Sequence, residues 1–409
     1  MSKHDVRMRG FLRRTPVPVL LSRIEQHCPP LPAEVTSVTE AWGRVLAETL
    51  TAPVDVPHFN RAAMDGFAVR GEETFGASAY NPIPLQVVGQ SLPGKPFAGE
   101  VSAGTAVRIM TGAPLPQGAD AVLMAELAEA VGDSIQVAEA VPPEKHVGKI
   151  GEDVRSGALL FRQGRCLRPQ DVGMLTSVGI PEVAVIRKPT VELLITGSEL
   201  LAPGTQPSGV QIVDSDSVML RSLVKRDSGN LLGIQHLPDD REPLRQAMLD
   251  STAEVVIVTG GTSVGLEDHG PTLLSELGEL LVHGIPMRPA APMGFGLMGE
   301  RKVFLLPGNP VSCFCAYDCF GARALRLLGG RNPDWPYASQ AVRLKTKISS
   351  QVGRIEYVRL RLDDNGAEVL ASGGASILSS TTQADAFFLT EEESEGIAAG
   401  ETISVWRYD

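Results

Sequence analysis

The segment from Val255 to Pro271 combines a strand, a glycine loop and a helix start, and it is the stretch best suited to hold an anion. Val255 to Val258 are consecutive β-branched residues, which is typical of a strand buried on both faces. Gly260, Gly261 and Gly265 follow, so the loop can present bare backbone N–H groups to a phosphate. The spacing fits neither the P-loop nor the dinucleotide-binding pattern, and a tight turn without a ligand explains the loop equally well.

The first half of the chain contains a second group of polar candidates in short loops. Asp65 and Arg61 lie in the segment RAAMDGF, which indicates either a structured turn or a loop that holds both charges over a charged substrate. Thr111 ends a strand-like run, where its hydroxyl could contact a ligand or only complete a turn. Glu152 and Asp153 follow a glycine, so their carboxylates could bind Mg²⁺ or cap a turn.

Metal sites built from thiols or imidazoles are not indicated. The five cysteines are an odd number in a long chain without a signal sequence, which favours reduced thiols. Cys313, Cys315 and Cys319 fall in a stretch with helical composition, where residues two apart lie on nearly opposite faces. We therefore expect buried thiols without a metal. The seven histidines show no zinc-binding spacing.

Composition limits the class of protein. The net charge of −11 argues against a nucleic-acid partner, because there is no basic excess to neutralise phosphates. No apolar run reaches the roughly 18 residues of a membrane span, and the apolar stretch after Arg14 is too short for a signal peptide. We therefore expect a cytoplasmic protein without a membrane partner. Its 409 residues are enough for several domains.

The elements that must position these residues alternate between strand and helix after Arg187. Strand-like runs over 191–196, 230–237 and 255–259 are separated by helical patterns, and a helix is predicted from Pro271 to Leu281. This order predicts a doubly wound α/β domain, in which ligands bind beyond the carboxyl ends of the strands. The candidate residues in those strand-end loops are Glu199, Asp239, Asp268, Pro307, Gly308 and Asn309.

The rest of the chain is strand-rich. Short extended runs separated by glycine and proline predict a β-rich module between Asn81 and Val141, and the alternation in RIEYVRLRL predicts a strand of a C-terminal β-barrel. The predicted fold class is therefore multidomain α/β plus β. Its parts are a connecting domain (33–55 and 151–186), a β-rich inserted domain (56–150), the α/β domain (13–32 and 187–330) and the C-terminal β-barrel domain (331–409).

Ordered motifs run through almost the whole chain, namely RAAMDGFAVR, RIMTGAP, GEDVRSG, TGSEL, GGTSVGLEDH and PGNPVS. In this order and spacing they resemble the molybdopterin molybdenumtransferases, which are similar to the E domain of gephyrin. The resemblance implies an L-shaped homodimer of four-domain subunits, whose α/β domain binds molybdopterin. It also implies that adenylylated molybdopterin and molybdate become molybdenum cofactor and AMP, with Mg²⁺. A molybdopterin adenylyltransferase and recipient molybdoenzymes are the partners that it suggests.

The resemblance assigns functions to individual residues. It implies catalytic functions for Asp65, Asp153, Glu199 and Asp268, with Asp65 and Asp268 as ligands of Mg²⁺. Carboxylates without a histidine suit Mg²⁺-assisted cleavage of a phosphoanhydride, because the metal offsets charge on the phosphates. The substrate-binding positions are Thr111, Asp239, Gly260, Gly261, Ser263, Gly265, Arg288, Pro307, Gly308, Asn309, Arg359 and Ser379. The last two match positions that the family contributes across a dimer cleft.

Several positions depart from the family pattern. Arg288 and Ala291 stand where the family usually has lysines, and Gly284 replaces a further lysine. Fewer cations predict weaker binding of molybdate, with Arg288 as the remaining oxyanion contact and His283 as a second candidate. The other departures are Leu266 and Ser198 in place of acids and Gly148 in place of an arginine.

Two alternatives to the transferase stay open on the sequence. A non-catalytic molybdopterin-binding or scaffold paralogue would keep the pterin site and the dimer, and the missing lysines favour it. Another enzyme on the same α/β domain, such as an adenylyltransferase or a nucleotide hydrolase, would need only residues near 187–330. The AMDG and GED motifs and the C-terminal module argue against that third hypothesis.

Overall fold

The computed structural model describes residues 14–262 and 268–408 of the chain, which divides into two compact units. The first unit comprises Met1–Glu34, Gly43–Val45 and Ile186–Asp409, and the second comprises Val35–Trp42 and Leu46–Val185. The positions Ser263, Gly265 and Leu266 lie outside the described residues. The predicted division into four modules is finer than these two units, and its boundaries stay a prediction.

A six-stranded sheet forms the centre of the first unit. Its strand order is Asn230–Leu237, Thr190–Thr196, Val255–Thr259, Arg301–Leu306, Gly294–Met298 and Glu279–His283. The first four strands are parallel, and the last two run antiparallel to their neighbours. The helices packed around it include Val17–His27, Asp216–Arg226, Arg241–Asp250 and Gly270–Leu277. This arrangement confirms the predicted doubly wound α/β architecture.

The strand Val255–Thr259 is buried along its whole length, as its sequence predicts. Val255 and Ile257 belong to one hydrophobic core, whereas Val256 and Val258 belong to another. Successive side chains of a strand point to opposite faces, so a strand between two helical layers needs an unbroken apolar run. The two cores therefore hold the end of this strand, where the glycine loop begins.

The prediction of a helix from Pro271 to Leu281 is wrong at its carboxyl end. The helix stops at Leu277, and Glu279–His283 is an antiparallel edge strand of the sheet. Gly278 allows the break, because a Cβ atom there would lie 1.9 Å from a carbonyl oxygen of another strand. A short apolar run fits a strand as well as a helix, so periodicity alone could not separate the two.

One long helix of the first unit extends from Pro310 to Leu328. It is α-helical over Pro310–Ala316 and Ala322–Leu328, with a π-helical segment Tyr317–Gly321 between them. Its three cysteines are buried, and burial raises the pKa of each thiol. They therefore pack as apolar residues in this helix.

The C-terminal part of the first unit is a second sheet. Its strand order is Met287–Arg288, Ile355–Asp363, Ala386–Leu389, Thr402–Arg407 and Ser339–Arg343, with Gly366–Ala371 also paired to Ile355–Asp363. Ile348–Ser349 pairs with Gly396–Ile397, and Ser379–Thr382 is a short helix. Stacked rings of Tyr357, Phe387 and Trp406 pack together in this part. The first strand of this sheet, Met287–Arg288, lies within the sequence of the α/β part. Backbone pairing therefore joins the two parts of the first unit.

The second unit is rich in strands, as predicted. Its six-stranded sheet has the order Ala121–Met124, Gly66–Val69, Thr105–Ile109, Ile83–Ser91, Ser134–Val137 and Ala128–Val131. Smaller elements of the chain are the strands Ala33–Ser37, Leu50–Thr51, Arg61–Ala62, Val147–Gly148, Leu159–Phe161, Glu182–Ile186, Leu200–Leu201 and Ile212–Val213 and the helix Pro169–Ser177. Among the described residues, no helix combines the length and the apolar composition needed to cross a membrane.

Candidate functional site

The carboxyl ends of the central parallel strands open onto a cleft of about 660 Å³, here named the strand-end cleft. Parallel sheets with helices on both faces bind their ligands at this edge. The predicted residues that line the cleft are Glu199, Asp239, Gly260, Gly261, Gly308 and Asn309. The structure therefore brings together most of the strand-end positions that the sequence singled out.

Glycines form one wall of the strand-end cleft because side chains would not fit there. Gly260 has a φ of +76°, and a Cβ atom at this position would lie 2.3 Å from the carbonyl oxygen of Thr196. A Cβ atom on Gly308 would lie 3.1 Å from the Cα of Gly260. The hydroxyl of Thr262 donates to the carbonyl oxygen of Leu306 at 2.9 Å and ties the loop to the next strand. A ligand can therefore approach bare backbone at this wall.

Asp239 and Ser198 hold two loops together at the cleft. The backbone N–H of Ser198 donates to Asp239 Oδ2 at 2.8 Å, and the N–H of Asp239 donates to the Ser198 hydroxyl oxygen at 3.2 Å. This reciprocal pair fixes the loops that follow two adjacent strands. Glu199 comes next in the chain and lines the cleft. Ser198 thus has a structural function at a position where the family often has an acid.

Two further acids of the cleft, Asp214 and Asp216, were not among the predicted residues. Asp214 Oδ2 lies 2.7 Å from His236 Nε2, and Asp214 Oδ1 accepts a hydrogen bond from the Ser217 N–H at 3.0 Å. Burial raises the pKa of Asp214, but these bonds outweigh it and leave the pKa below its usual range. Burial and the charge of Asp214 raise the pKa of Asp216 to about 7. The wall therefore holds one ionised carboxylate and one that binds a proton near neutral pH.

Asp268 directly precedes His269 and the helix Gly270–Leu277, where the glycine loop ends. His283 Nε2 lies 3.1 Å from the carbonyl oxygen of Thr262. Burial lowers the pKa of His283, while the Thr262 carbonyl and the charge of Asp268 act in the opposite direction. A neutral imidazole at this position can still donate a hydrogen bond to a backbone oxygen.

A second pocket, of about 350 Å³, adjoins the strand-end cleft and is here named the arginine pocket. Arg288, the predicted oxyanion contact, lines it together with Pro307 and Ala291. Asn309 lines both the arginine pocket and the strand-end cleft, so the two are neighbours. The arginines that line the pocket are Arg14, Arg288 and Arg354. The first and last of these were missed because they are far in sequence from the turn that contains Arg288.

Arg359 and Ser379 differ from the other predicted substrate contacts. The Arg359 side chain is fully buried within its own chain and donates to the carbonyl oxygen of Gly373. Its Nε and Nη1 have no hydrogen-bond partner in the described part of the chain, and burial lowers its pKa. Ser379 is exposed at the start of the short helix Ser379–Thr382. In the single chain, the Arg359 side chain therefore offers no exposed surface to a substrate.

In the second unit, the structure brings Asp65 and Thr111 together. Asp65 Oδ1 accepts hydrogen bonds from the Thr111 N–H at 2.6 Å and from the Thr111 hydroxyl at 2.8 Å. These two bonds lower the pKa of the Asp65 carboxyl, which is exposed to solvent. The antiparallel pairing of Gly66–Val69 with Thr105–Ile109 places the two loops side by side. The result is an ionised carboxylate whose Oδ2 has no hydrogen-bond partner among the residues described.

The GED motif forms a turn in which Glu152 makes the structural contacts. Glu152 Oε2 accepts a hydrogen bond from the Lys149 N–H at 3.0 Å, and Glu152 Oε1 accepts one from Arg61 Nη2 at 3.0 Å. Of the two alternatives for this acidic pair, turn capping therefore describes Glu152, whereas the function of Asp153 stays a prediction. Gly148 fits this turn because a Cβ atom there would lie 2.8 Å from Glu152 Oε1. A larger residue would disturb the Arg61–Glu152 pair.

Mg²⁺ fits the described residues only in part. They contain no group of three or more His, Cys, Asp or Glu side chains placed to hold a metal ion. Mg²⁺ usually takes one or two protein carboxylates and completes its shell with water and substrate phosphates. The carboxylates of Asp65 and Asp268 are each a hard oxygen donor of that kind.

Family models match three consecutive parts of the chain. The MoeA N-terminal region (domain I and II) matches residues 15–179, the probable molybdopterin binding domain matches 192–326, and the MoeA C-terminal region (domain IV) matches 341–408. The second of these parts contains most of the strand-end cleft.

Individual relatives match over nearly the full length. The chain is 32% identical over 393 residues to the molybdopterin molybdenumtransferase of Haemophilus influenzae, which covers 93% of this chain and 95% of that protein. It is 31% identical over 390 residues to the molybdopterin molybdenumtransferase 2 of Mycobacterium tuberculosis, which covers 90% and 93%. A crystal structure of the molybdopterin biosynthesis moeA protein from Pyrococcus horikoshii OT3 matches with a TM-score of 0.77 and 34% identity, over 97% of this chain and 100% of that one. The motifs, the fold and these relatives agree, and the chain belongs to the molybdopterin molybdenumtransferase (MoeA) family.

Proposed function

We propose that this protein is a molybdopterin molybdenumtransferase that acts in molybdenum cofactor biosynthesis. Its substrates are adenylylated molybdopterin and molybdate, and its products are molybdenum cofactor and AMP. The observation that carries the proposal is that Asn309 lines both a cleft with bare glycine backbone and a pocket with three arginines. The glycine wall of the cleft and the arginines of the pocket each suit an anion, so two anionic substrates can bind next to each other.

The strand-end cleft suits the phosphate-bearing substrate. Its volume of about 660 Å³ lies within the usual range for small-molecule sites. The backbone at Gly260, Gly261 and Gly308 offers an approach to phosphate oxygens without intervening side chains. Glu199 and Asp239 attract hydrogen-bond donors and cations instead. We therefore place the phosphate at the glycine wall and the donor groups of the pterin, or a cation, at the acidic side.

The arginine pocket suits molybdate. A guanidinium presents several N–H donors in a fixed fork, which matches the oxygens of a tetrahedral dianion. Arg288 is exposed and lines the pocket, and no hydrogen bond to its side chain is found among the described residues. Molybdate bound there lies beside the substrate in the strand-end cleft, because Asn309 separates the two surfaces.

The proposal also includes Mg²⁺, with Asp65 and Asp268 each as a ligand. Bound Mg²⁺ would offset the charge that develops on the phosphates when AMP leaves. Asp65 suits this task because its hydrogen bonds from Thr111 keep its pKa below the ordinary value. It therefore remains a carboxylate throughout the neutral pH range.

An AMP-release assay tests the proposed activity. The purified protein is incubated with adenylylated molybdopterin, Mg²⁺ and molybdate, AMP is followed by chromatography, and the cofactor is measured by reconstitution of an apo-molybdoenzyme. We expect molybdate-dependent release of AMP together with active cofactor. Binding of adenylylated molybdopterin without release of AMP would instead support the scaffold alternative. The comparisons do not favour that alternative, because relatives of nearly equal length are named as transferases.

A homodimer with clefts completed across the subunit boundary is a further part of the proposal. Mixing an Asp268→Asn protein with an Arg359→Ala protein should restore part of the activity, because one hybrid cleft carries neither lesion. The unfolding midpoint of Arg359→Ala is the control, because this arginine is buried in its own chain and its removal can also lower stability. No recovery in heterodimers of verified composition would reject the shared cleft.

A further inference from the structure

Arg288 and Arg354 come together through backbone pairing rather than through sequence proximity. Met287–Arg288 runs parallel to the strand Ile355–Asp363, with Arg288 opposite Glu356 in the ladder. Paired residues of a ladder point to the same face, so Arg288 and Glu356 lie side by side at this end of the sheet. Arg354 directly precedes the strand, and its side chain contacts Glu356. A further pocket of about 350 Å³ also contains all three residues.

Glu356 fixes the direction of the Arg354 side chain. Arg354 Nε donates to Glu356 Oε1 at 2.6 Å, and the Glu356 side chain is only 4% exposed. The Glu356 N–H donates to the Thr390 hydroxyl oxygen at 2.9 Å, which anchors this position of the strand. Only Nε of Arg354 is used in these contacts. Its two terminal nitrogens have no hydrogen-bond partner in the described ranges, and the side chain remains 26% exposed toward the pockets.

We propose that Arg354, held by the buried carboxylate of Glu356, is a second cationic contact for the tetrahedral oxyanion that binds beside Arg288. This inference rests on the proposed function, since molybdate is the oxyanion it concerns. Arg354 would be the binding residue and Glu356 a positioning residue. The arrangement gives the pocket a second cation from the segment just before a distant strand, whereas Gly284 and Ala291 contribute none.

The charges around the two pockets match a dianion. Their described lining residues include three arginines, Arg14, Arg288 and Arg354, and one acid, Glu356. Three positive charges and one negative charge leave two positive charges, which equals the charge of molybdate in magnitude. Hydroxyl donors are also present, because Ser312 lines the arginine pocket. Charge-assisted hydrogen bonds of this kind are stronger than neutral ones and directional.

The test compares Arg354→Ala with Arg361→Ala, which removes an exposed arginine that lies outside both pockets on the strand that follows Arg354. Arg354→Ala should raise the molybdate concentration for half-maximal AMP release by about tenfold. The kcat at saturating molybdate and the KM for adenylylated molybdopterin should stay near wild type, and Arg361→Ala should change none of these values. A raised KM for adenylylated molybdopterin with an unchanged molybdate dependence would overturn the proposal, because the pocket would then hold the phosphate of that substrate.

A second pair of variants separates positioning from folding. Arg354→Ala alone leaves Glu356 buried without its partner, which can lower stability. The double variant with Glu356→Leu removes both charges, so it separates the loss of the cation from that loss of stability. The double variant should need about as much molybdate as Arg354→Ala alone, because Glu356 acts through Arg354. Glu356→Leu alone should also raise the molybdate requirement. A lower requirement in Glu356→Leu would show that the carboxylate only repels the anion, and would refute its positioning function.

Titration calorimetry keeps this inference independent of turnover. Molybdate, and sulfate as a second tetrahedral dianion, are titrated into the substrate-free wild-type, Arg354→Ala and Arg361→Ala proteins. Weaker binding of both anions to Arg354→Ala alone supports the oxyanion contact, even if the wild-type protein releases no AMP and the proposed function fails. Equal binding of both anions to all three proteins would refute the contact, whatever the activity.

Discussion

Replacing Asp216 by asparagine should stabilise the protein more at pH 8 than at pH 5.5. Asp216 is only 6% exposed, and its Oδ1 has no hydrogen-bond partner in the part of the chain that the structure describes. Burial and the charge of Asp214 raise its pKa to about 7, although hydrogen bonds with Cys313 and Ser215 act in the opposite direction. The ionised form of Asp216 therefore destabilises the folded chain above neutral pH.

The magnitude follows from the pKa of 3.8 in the unfolded chain and about 7 in the folded chain. This difference corresponds to about 4 kcal/mol in the free energy of unfolding. The folded chain binds the proton more tightly, so the stabilising contribution is fully present below pH 3.8 and is lost as the pH rises through about 7. Between pH 5.5 and 7, the wild-type protein loses roughly 2 kcal/mol through this group, whereas the asparagine variant does not.

Urea unfolding followed by tryptophan fluorescence measures this effect. Two of the three tryptophans, Trp335 and Trp406, belong to the same compact unit as Asp216, so in a Trp42→Phe background the signal reports the unfolding of this unit. Changes in packing caused by the amide are the same at both pH values, and the change with pH isolates the ionisation. We expect Asp216→Asn to raise the free energy of unfolding above the wild-type value by about 2 kcal/mol more at pH 8 than at pH 5.5. The same difference between variant and wild type at both pH values would refute a carboxyl group with a raised pKa.

Other variants test the loops that line the candidate site. Gly260→Ala should lower the free energy of unfolding by about 1–3 kcal/mol more than Gly204→Ala, because both positions have a positive φ but only the first has a backbone oxygen 2.3 Å from the added Cβ; equal urea midpoints for the two variants would contradict this. Asp65→Asn should slow AMP release by roughly a hundredfold without changing the unfolding midpoint, and wild-type turnover would exclude Asp65 from the mechanism. Arg288→Ala should raise the molybdate concentration for half-maximal insertion by about tenfold, and Ala291→Lys should lower it. Loss of molybdopterin binding in Arg288→Ala, with an unchanged molybdate dependence, would show that the arginine pocket is misassigned.

The central sheet can be predicted from local sequence because each strand has a recognisable apolar pattern of its own. Val255–Val258 must be apolar at every position to contact two cores, and that pattern is visible without any partner. The end of the helix at Leu277 is different. It depends on the close approach of Gly278 to a strand about twenty residues later in the chain, and no local pattern contains that information. Non-local contacts of this kind limit what periodicity can predict.

The candidate site shows the same division between local and non-local information. Parallel topology alone brings Glu199 and Asp239 to one edge of the sheet, so the strand-end cleft is predictable from the order of elements. Arg354 reaches the arginine pocket only because Met287–Arg288 pairs with a distant strand, and the sequence does not reveal that register. Asp214 and Asp216 lie in a visibly acidic segment at the start of a helix, and this was the available signal. Nothing in the sequence, however, distinguishes a buried carboxylate from a solvated one.

Asn309 explains how the fold couples the two surfaces proposed to bind anions. The strand Arg301–Leu306 ends at the cleft, Gly308 passes close to Gly260, and Pro310 begins the long helix. Asn309 lies between these constraints, and the hydroxyl of Ser376 donates to its Oδ1 at 2.7 Å. The backbone therefore sets the spacing between a ligand in the strand-end cleft and an anion in the arginine pocket. Because a misplacement of about 1 Å between two reactants can lower a rate by orders of magnitude, a spacing held by a strand end and a helix start favours transfer between them.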